Sequence, residues 1–395
     1  MSSPTFSAGA RSPGGVGNDP VRVMVVDDSA VVRGLETRML QSDPDITVVA
    51  SVSNGQLAVQ ALDKHDIEVV ILDIEMPVLD GLSALPKLLA RDPDLKIIMA
   101  STLTLRNAEI SLQALQAGAT EYLPKPSASR DITGDSPFKR ELVSKVKALG
   151  QARRRGVRRP GPATTAARSR DSLATRTAAA AAAIPARPAV PITLRRPAVT
   201  PEPVDIIAIG SSTGGPQALF AVLSSIAKLG GVSQPMLITQ HMPATFTTIL
   251  AGHISRIATM EAREAENGEV VRNNRIYVAP GDYHMLVESK GVDKVLRLTQ
   301  DPPENFCRPA VDPMFRSVAR AYGRRVLGVV LTGMGSDGAK GSGDVVKAGG
   351  TVIAQDEATS VVWGMPGATA QAGVCTAILP VNDIGPWIYK MASKR

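Results

Sequence analysis

The chain is predicted to be an α/β protein with two domains, residues 21–150 and 204–395, each built on a mainly parallel sheet. Three observations predict this. Strand-length apolar runs alternate with segments of helical period. Acidic or glycine-rich turns stand directly after several of those runs. Between the two regions, residues 151–203 carry eleven Arg and no Lys against Asp171 and Glu202, with many Pro and Ala, a composition that cannot bury a core and predicts a linker.

Taken in order, Val21–Val26 predicts a strand and Ala30–Gln41 a helix. Ile46–Val52 is a second strand, Gly55–Lys64 a helix and Val69–Leu72 a third strand. Leu82–Ala90, Lys96–Met99, Ala108–Gln116, Glu121–Leu123 and Pro137–Leu149 continue the alternation. This is the pattern of a doubly wound, flavodoxin-like domain, whose ligands belong at the carboxyl ends of the strands. In the second region Val204–Ile209 predicts a buried strand, followed by helical spacing over Gln217–Ile226. Met236–Thr239 is a strand, and Thr247–Ile257 a helix. Arg275–Ala279 and Met285–Val287, on either side of Pro280-Gly281-Asp282-Tyr283, predict a hairpin. Val326–Leu331 and Thr351–Ala354 are further core strands.

Composition sets bounds. The 395 residues are 44% hydrophobic, enough for a core in each domain, and only 3% aromatic, so those cores must be aliphatic. The net charge of +7 resides in the linker, and the remainder is close to neutral. No aromatics interleave with the linker arginines, so nucleic acid is not expected as a partner. Two cysteines, Cys307 and Cys375, offer neither a disulfide framework nor a four-cysteine zinc site. No run of 18 apolar residues occurs. Residues 1–20 lack an apolar h-region and are expected to be a disordered tail. A reducing cytoplasm is the expected location.

Chemistry is concentrated at the strand ends. Gly210-Ser211-Ser212-Thr213-Gly214 fits G-x-S-x-G, which places Ser212 on a strand-to-helix turn where it can attack a carbonyl. A glycine-rich turn without chemistry, or one that cradles phosphate, has the same composition. A nucleophile needs a base. Among four histidines, His65 lies at a helix end, His253 within a helix and His284 beside a turn, while His241 emerges directly from an apolar strand. Asp337, in the loop Thr332-Gly333-Met334-Gly335-Ser336-Asp337-Gly338, can orient the imidazole. In the first domain Asp27, Asp28 and Asp73 end two strands, and carboxylates so placed repel one another unless a hard cation such as Mg²⁺ holds them. Any one of them alone, Asp28 above all, could be a helix cap. Ser101 and Lys125 end two more strands and could contact a phosphoryl group, and Pro126 makes a cis peptide available beside Lys125.

Asp27-Asp28-Ser29, Asp73-Ile74-Glu75-Met76-Pro77, Asp80-Gly81, Ser101-Thr102 and Lys125-Pro126 closely resemble the response-regulator receiver domain. The resemblance implies phosphorylation of Asp73 by a histidine kinase and Mg²⁺ on Asp28, Asp73 and the Glu75 carbonyl, with Asp27 nearby. It also puts Tyr122 in the place of the switch aromatic. The second region resembles the catalytic domain of chemotaxis protein-glutamate methylesterases. It does so through Gly210–Gly215, Gln240-His241-Met242-Pro243, Tyr277–Asp282, Leu331–Gly338 and Val361-Val362-Trp363-Gly364-Met365-Pro366. That resemblance implies a Ser212–His241–Asp337 triad, an oxyanion contact from the Met334 N–H, and hydrolysis of glutamyl methyl esters on chemoreceptors. Glutamine deamidation by the same chemistry, and a monomer whose unphosphorylated receiver covers the active site, follow as well. Cys307 and Ala310 depart from the pattern, which has His-Arg-Pro-Ser-Val-Asp at that point. Two other classes fit parts of the sequence: a DNA-binding response regulator, and an inert receptor-binding scaffold.

Overall fold

The computed structural model describes residues 19–102, 104–125, 136–157, 192–196 and 203–393. The expected tail, Pro126 and most of the expected linker lie outside the described residues.

The first sheet is built from β1 (Val21–Val26), β2 (Ile46–Val52), β3 (Val69–Asp73), β4 (Lys96–Ser101) and β5 (Glu121–Pro124). Helices α1 (Ala30–Gln41), α2 (Gly55–Leu62), α3 (Gly81–Arg91), α4 (Leu105–Gln116) and α5 (Pro137–Val157) follow the strands in turn. The order is β2-β1-β3-β4-β5 and every pairing is parallel. β3 is buried along its whole length, as a parallel strand covered on both faces must be. Four helices begin at a polar cap. Ser29, Asn54, Asp80 and Thr104 accept from the amides of Val32, Leu57, Ser83 and Asn107, which fixes the helix starts just beyond the strand ends. Helix α5 runs past the expected boundary at 150 to Val157. Its arginines carry it, with Arg153 pairing to Asp92 at 2.7 Å and Arg154 to Glu68 at 2.6 Å.

The second sheet is larger. In chain order the elements are β6 (Ile206–Ser211), α6 (Gly215–Lys228), β7 (Met236–Gln240), α7 (Ala244–Ile257), β8 (Glu261–Glu264) and β9 (Arg275–Val278). They continue with β10 (His284–Lys290), β11 (Asp293–Thr299), α8 (Val311–Tyr322), β12 (Val326–Val330) and α9 (Ala339–Lys347). β13 (Thr351–Gln355), α10 (Met365–Gln371), β14 (Ala377–Leu379) and α11 (Val381–Ala392) close the chain. Seven strands pair in parallel in the order β14-β13-β12-β6-β7-β9-β8.

The expected hairpin is present, but between other strands. β9 lies inside the parallel sheet, and β10 pairs antiparallel with β11, from His284↔Thr299 to Lys290↔Asp293. The turn at Pro280–Tyr283 does not reverse the chain onto β9 because it is pinned under α7. The Gly281 amide donates to Thr247 Oγ1 at 3.0 Å, and a Cβ on Gly281 would lie 2.0 Å from the Ala244 amide nitrogen. The tight reversal falls instead at Gly291-Val292, with Gly291 at φ 61°. Gly281→Ala should therefore lower stability by about 3 kcal/mol, because backbone on both sides must move. Urea melts of the purified protein would show it, and an unchanged midpoint would contradict this packing.

Candidate active site

The order of the second sheet places β6 between β12 and β7, so three carboxyl ends meet at one edge. Ser212 follows β6 in the centre, His241 follows β7, and the Thr332–Gly338 loop follows β12. The Ser212 turn is held from both sides. Its amide donates to the Thr332 carbonyl at 3.0 Å, and its carbonyl accepts from the Gly215 amide at 2.6 Å and from Gln240 Nε2 at 3.0 Å. Gln240 Oε1 accepts from Ser211 Oγ at 2.7 Å, so one side chain grips two consecutive serines. Gly214 adopts φ 73°, a left-handed conformation that lets α6 start at Gly215, with only three residues between strand and helix. The Ser212 hydroxyl is part-exposed and makes no hydrogen bond among the described residues.

His241 Nε2 lies 2.8 Å from Asp337 Oδ2, and both side chains are withdrawn from solvent. Asp337 is a hub. Its carboxylate also accepts from the Val311, Asp312 and Gly338 amides and from Asn305 Nδ2, at 2.6 to 3.0 Å. Two of these amides open α8, whose positive end faces the carboxylate. Burial opposes its ionisation, yet the His241 hydrogen bond and charge outweigh burial and hold its pKa below the usual carboxylate value. Asp312 carries the complementary burden. Burial first, then the Asp337 charge, raise its pKa, while it accepts from the Gly338 and Gly341 amides and from Asn305. Asn305 carries no signal in the sequence, and Asp312 is marked there only as the last residue of the family pattern from which Cys307 and Ala310 depart; the loop that both residues serve is remote in sequence.

His241 Nδ1 does not meet Ser212. It lies 3.3 Å from Cys307 Sγ. Burial disfavours a charged ring, but Asp337 and Cys307 outweigh it and lift the His241 pKa to about 10. The other candidate bases are occupied elsewhere. His284 is buried, with Nε2 on the Pro302 carbonyl and Nδ1 accepting from the Ala310 amide. His253 contacts Gln116 through Nδ1, and His65 is exposed. The Met334 amide has no acceptor among the described residues, and its half-buried side chain, like that of Val361, packs against a buried cluster that holds Val362 together with residues of the first domain.

At the edge of the first sheet, ligand atoms of Asp27, Asp28 and Asp73 lie within 4.8 Å of one another, a set of hard oxygens able to hold a divalent cation. Lys125 Nζ sits 2.5 Å from Asp27 and 2.6 Å from Asp73. Burial, and next the opposing effect of this ammonium, set the Asp73 pKa, which remains raised. Glu75 lines the same cleft beside Asp28 and Asp80. Ser101 is buried and bonded to the Ser111 hydroxyl at 3.0 Å. One residue went unnoticed in the sequence: Glu36 on α1, buried with neither oxygen bonded. Burial, and then Asp27, push its pKa to about 8.

The two regions are in contact beside Ser212. The Tyr122 ring stacks on Phe246 of α7, with centroids 4.3 Å apart. Gln217 on α6 donates to the Ala119 carbonyl at 2.5 Å, and Gln116 meets His253 at 3.0 Å. Thr213, next to Ser212, lies beside the buried carboxyl of Glu121, whose pKa burial raises and Thr213 helps to lower. Arg155 at the end of α5 pairs with Glu357 at 3.1 Å.

Two families of known proteins match the chain, one over each region. The response regulator receiver domain family matches residues 23–135, and the CheB methylesterase family matches residues 207–388. A protein-glutamate methylesterase/protein-glutamine glutaminase of Rhodospirillum rubrum is 64% identical over 377 residues, covering 95% of this chain and 96% of its own. One of Azospirillum brasilense is 60% identical over 387 residues, with 96% and 95% covered. The solved catalytic domain of Thermotoga maritima CheB methylesterase is 37% identical, spans 48% of this chain and 98% of its own, and superposes with a TM-score of 0.46. With identity of this extent along nearly its whole length, the chain belongs to the CheB methylesterase family and joins that catalytic region to a response regulator receiver domain.

Proposed function

We propose that this chain is a phosphorylation-controlled protein-glutamate methylesterase that also deamidates glutamines, acting as a monomer on the cytoplasmic helices of chemoreceptors. Residues 21–150 serve as the receiver and 204–395 as the catalytic domain, with 151–203 between them. The observation that carries the reading is the Asp337–His241 pair, next to Ser212 on the central strand of the sheet.

Ser212 Oγ attacks the γ-carbonyl of a methylated glutamate while His241 Nδ1, the nitrogen that Asp337 does not hold, takes its proton. For this the ring must exchange Cys307 for Ser212, which also removes one of the two groups that raise its pKa. The Met334 amide, free of other acceptors, donates to the oxyanion. His241 returns the proton to the leaving methanol, or to ammonia when the substrate is glutamine, and water then releases the acyl-enzyme.

The receiver controls access. Tyr122, Glu121 and Ala119 press on α7 and on the start of α6, so the Ser212 turn is gripped from the receiver side. Asp28, Asp73 and the Glu75 carbonyl would hold Mg²⁺, with Asp27 beside them, and the ion would supply positive charge to the phosphoryl oxygens. Asp73 takes the phosphoryl group from a histidine kinase, Lys125 pairs with it, and Ser101 leaves Ser111 to bond it. Tyr122 then turns out of its stack with Phe246.

Methanol release from methylated receptor membranes tests the enzyme reading. The full chain with a phosphodonor should release methanol, and folded Ser212→Ala should not. Near-wild-type turnover by Ser212→Ala would overturn it in favour of a different nucleophile or an inert scaffold.

A further inference from the structure

Cys307 does more than replace a polar residue of the family pattern. The turn that carries it is tightly held. Its amide donates to the Glu304 carbonyl at 2.9 Å, and Asn305, within that turn, reaches both Asp312 and Asp337. Asn305 and Phe306 both adopt positive φ, at 52° and 64°, a conformation unusual for residues with a side chain, and it leaves Phe306 fully exposed. The result is a thiol, half-buried and reachable, 3.3 Å from His241 Nδ1, with Asp337 on the opposite nitrogen at 2.8 Å. A nucleophile within reach of a base, which is itself oriented by a carboxylate, is the arrangement that activates a cysteine. It shares its base with Ser212.

We propose that Cys307 is a peroxide-reactive thiol, with His241 as its base, and that its oxidation shuts off the esterase. This rests on the reading of His241 as the base for Ser212. Sγ attacks one oxygen of hydrogen peroxide, the O–O bond breaks and an S–O bond forms. The thiol proton passes through His241 Nδ1 to the departing hydroxide, which leaves as water. Sulfur loses two electrons to the peroxide oxygens, and the product is a sulfenic acid. Its oxygen lies where Ser212 must approach Nδ1. The only other cysteine, Cys375, is buried and free, so an external thiol is needed for recovery.

The test is sulfenic acid trapping with dimedone at neutral pH on the full chain, read by peptide mass spectrometry, alongside methanol release. Cys307 should oxidise about a hundredfold faster in the folded protein than in urea, where no base is nearby. His241→Ala should bring the rate down to that of the unfolded chain, while Ser212→Ala should keep it. Methanol release should fall in step with oxidation and return with dithiothreitol. Whatever turnover Cys307→Ser shows should be indifferent to peroxide. Equal oxidation rates folded and unfolded would overturn the proposal, as would full esterase activity with Cys307 oxidised. Because the adduct is read by mass, also in Ser212→Ala, a failure of the esterase reading would leave the oxidation rate untouched and so be told apart.

Discussion

Asp337→Asn is expected to lower kcat by about 10⁴-fold with little change in KM. In the proposed mechanism the ring is neutral once it has left Cys307, and the carboxylate then keeps its proton on Nε2, which leaves Nδ1 as the acceptor for Ser212. An amide at this position can present N–H to Nε2 instead, which puts the proton on Nδ1 and makes the ring the wrong tautomer. Ser212→Ala and His241→Ala, which remove the reacting groups, should cost about 10⁶-fold. The Asn variant also loses part of a carboxylate that serves five donors, so its melting temperature must be checked. Histidine ¹⁵N shifts separate the explanations. A folded Asp337→Asn with the wild-type tautomer and kcat within tenfold would mean that Asp337 is only a structural hub.

Removing residues 1–157 should raise basal methanol release by about tenfold or more, within the usual range of coupling between sites. The receiver touches the catalytic region where it matters, through Thr213 and Gln217 on either side of the α6 start and through Phe246 on α7. Asp73→Asn should keep the low basal rate and ignore phosphodonors, because the acidic site lies on the other domain and can act on the esterase only by changing how the two regions meet. One variant is thus high and constant, the other low and unresponsive. A well-folded fragment slower than the unphosphorylated full chain would exclude occlusion and favour a receiver that assists catalysis.

The strand ends were legible in the sequence because parallel strands covered on both faces are continuous apolar runs, and the residue after each run is fixed by chain connectivity alone. Ser212, His241, Asp27 and Lys125 directly follow their strands, Asp73 ends β3 and Asp337 lies further along the loop after β12, and the sheet order brings each group of three to one edge. The hairpin partner was not legible. β11 carries Asp293, Lys294 and Arg297 and has one wet face, so it lacks the apolar run that marks its neighbours. Asn305 and Asp312 were hidden for another reason: they act on Asp337 through contacts across loops, and no periodicity encodes such contacts. Cys307 was visible as a departure, but its approach to His241 depends on two residues with positive φ. The seat of Tyr122 on Phe246 joins two separately patterned regions, and neither pattern names its partner.

The proposed triad draws its nucleophile, base and orienting carboxylate from the ends of three strands, and the carboxylate comes last in the chain, beyond β12, the strand that pairs with β6. Synthesis delivers these pieces in a fixed order, and domains at the N-terminus fold first. By the time Asp337 leaves the ribosome, the receiver is already formed and able to settle against α6 and α7. With the receiver covering the site as proposed, a newly made molecule passes through no unguarded, active form. Such an esterase would be silent from birth, with no inhibitor to be made alongside it and no activating cleavage to be timed.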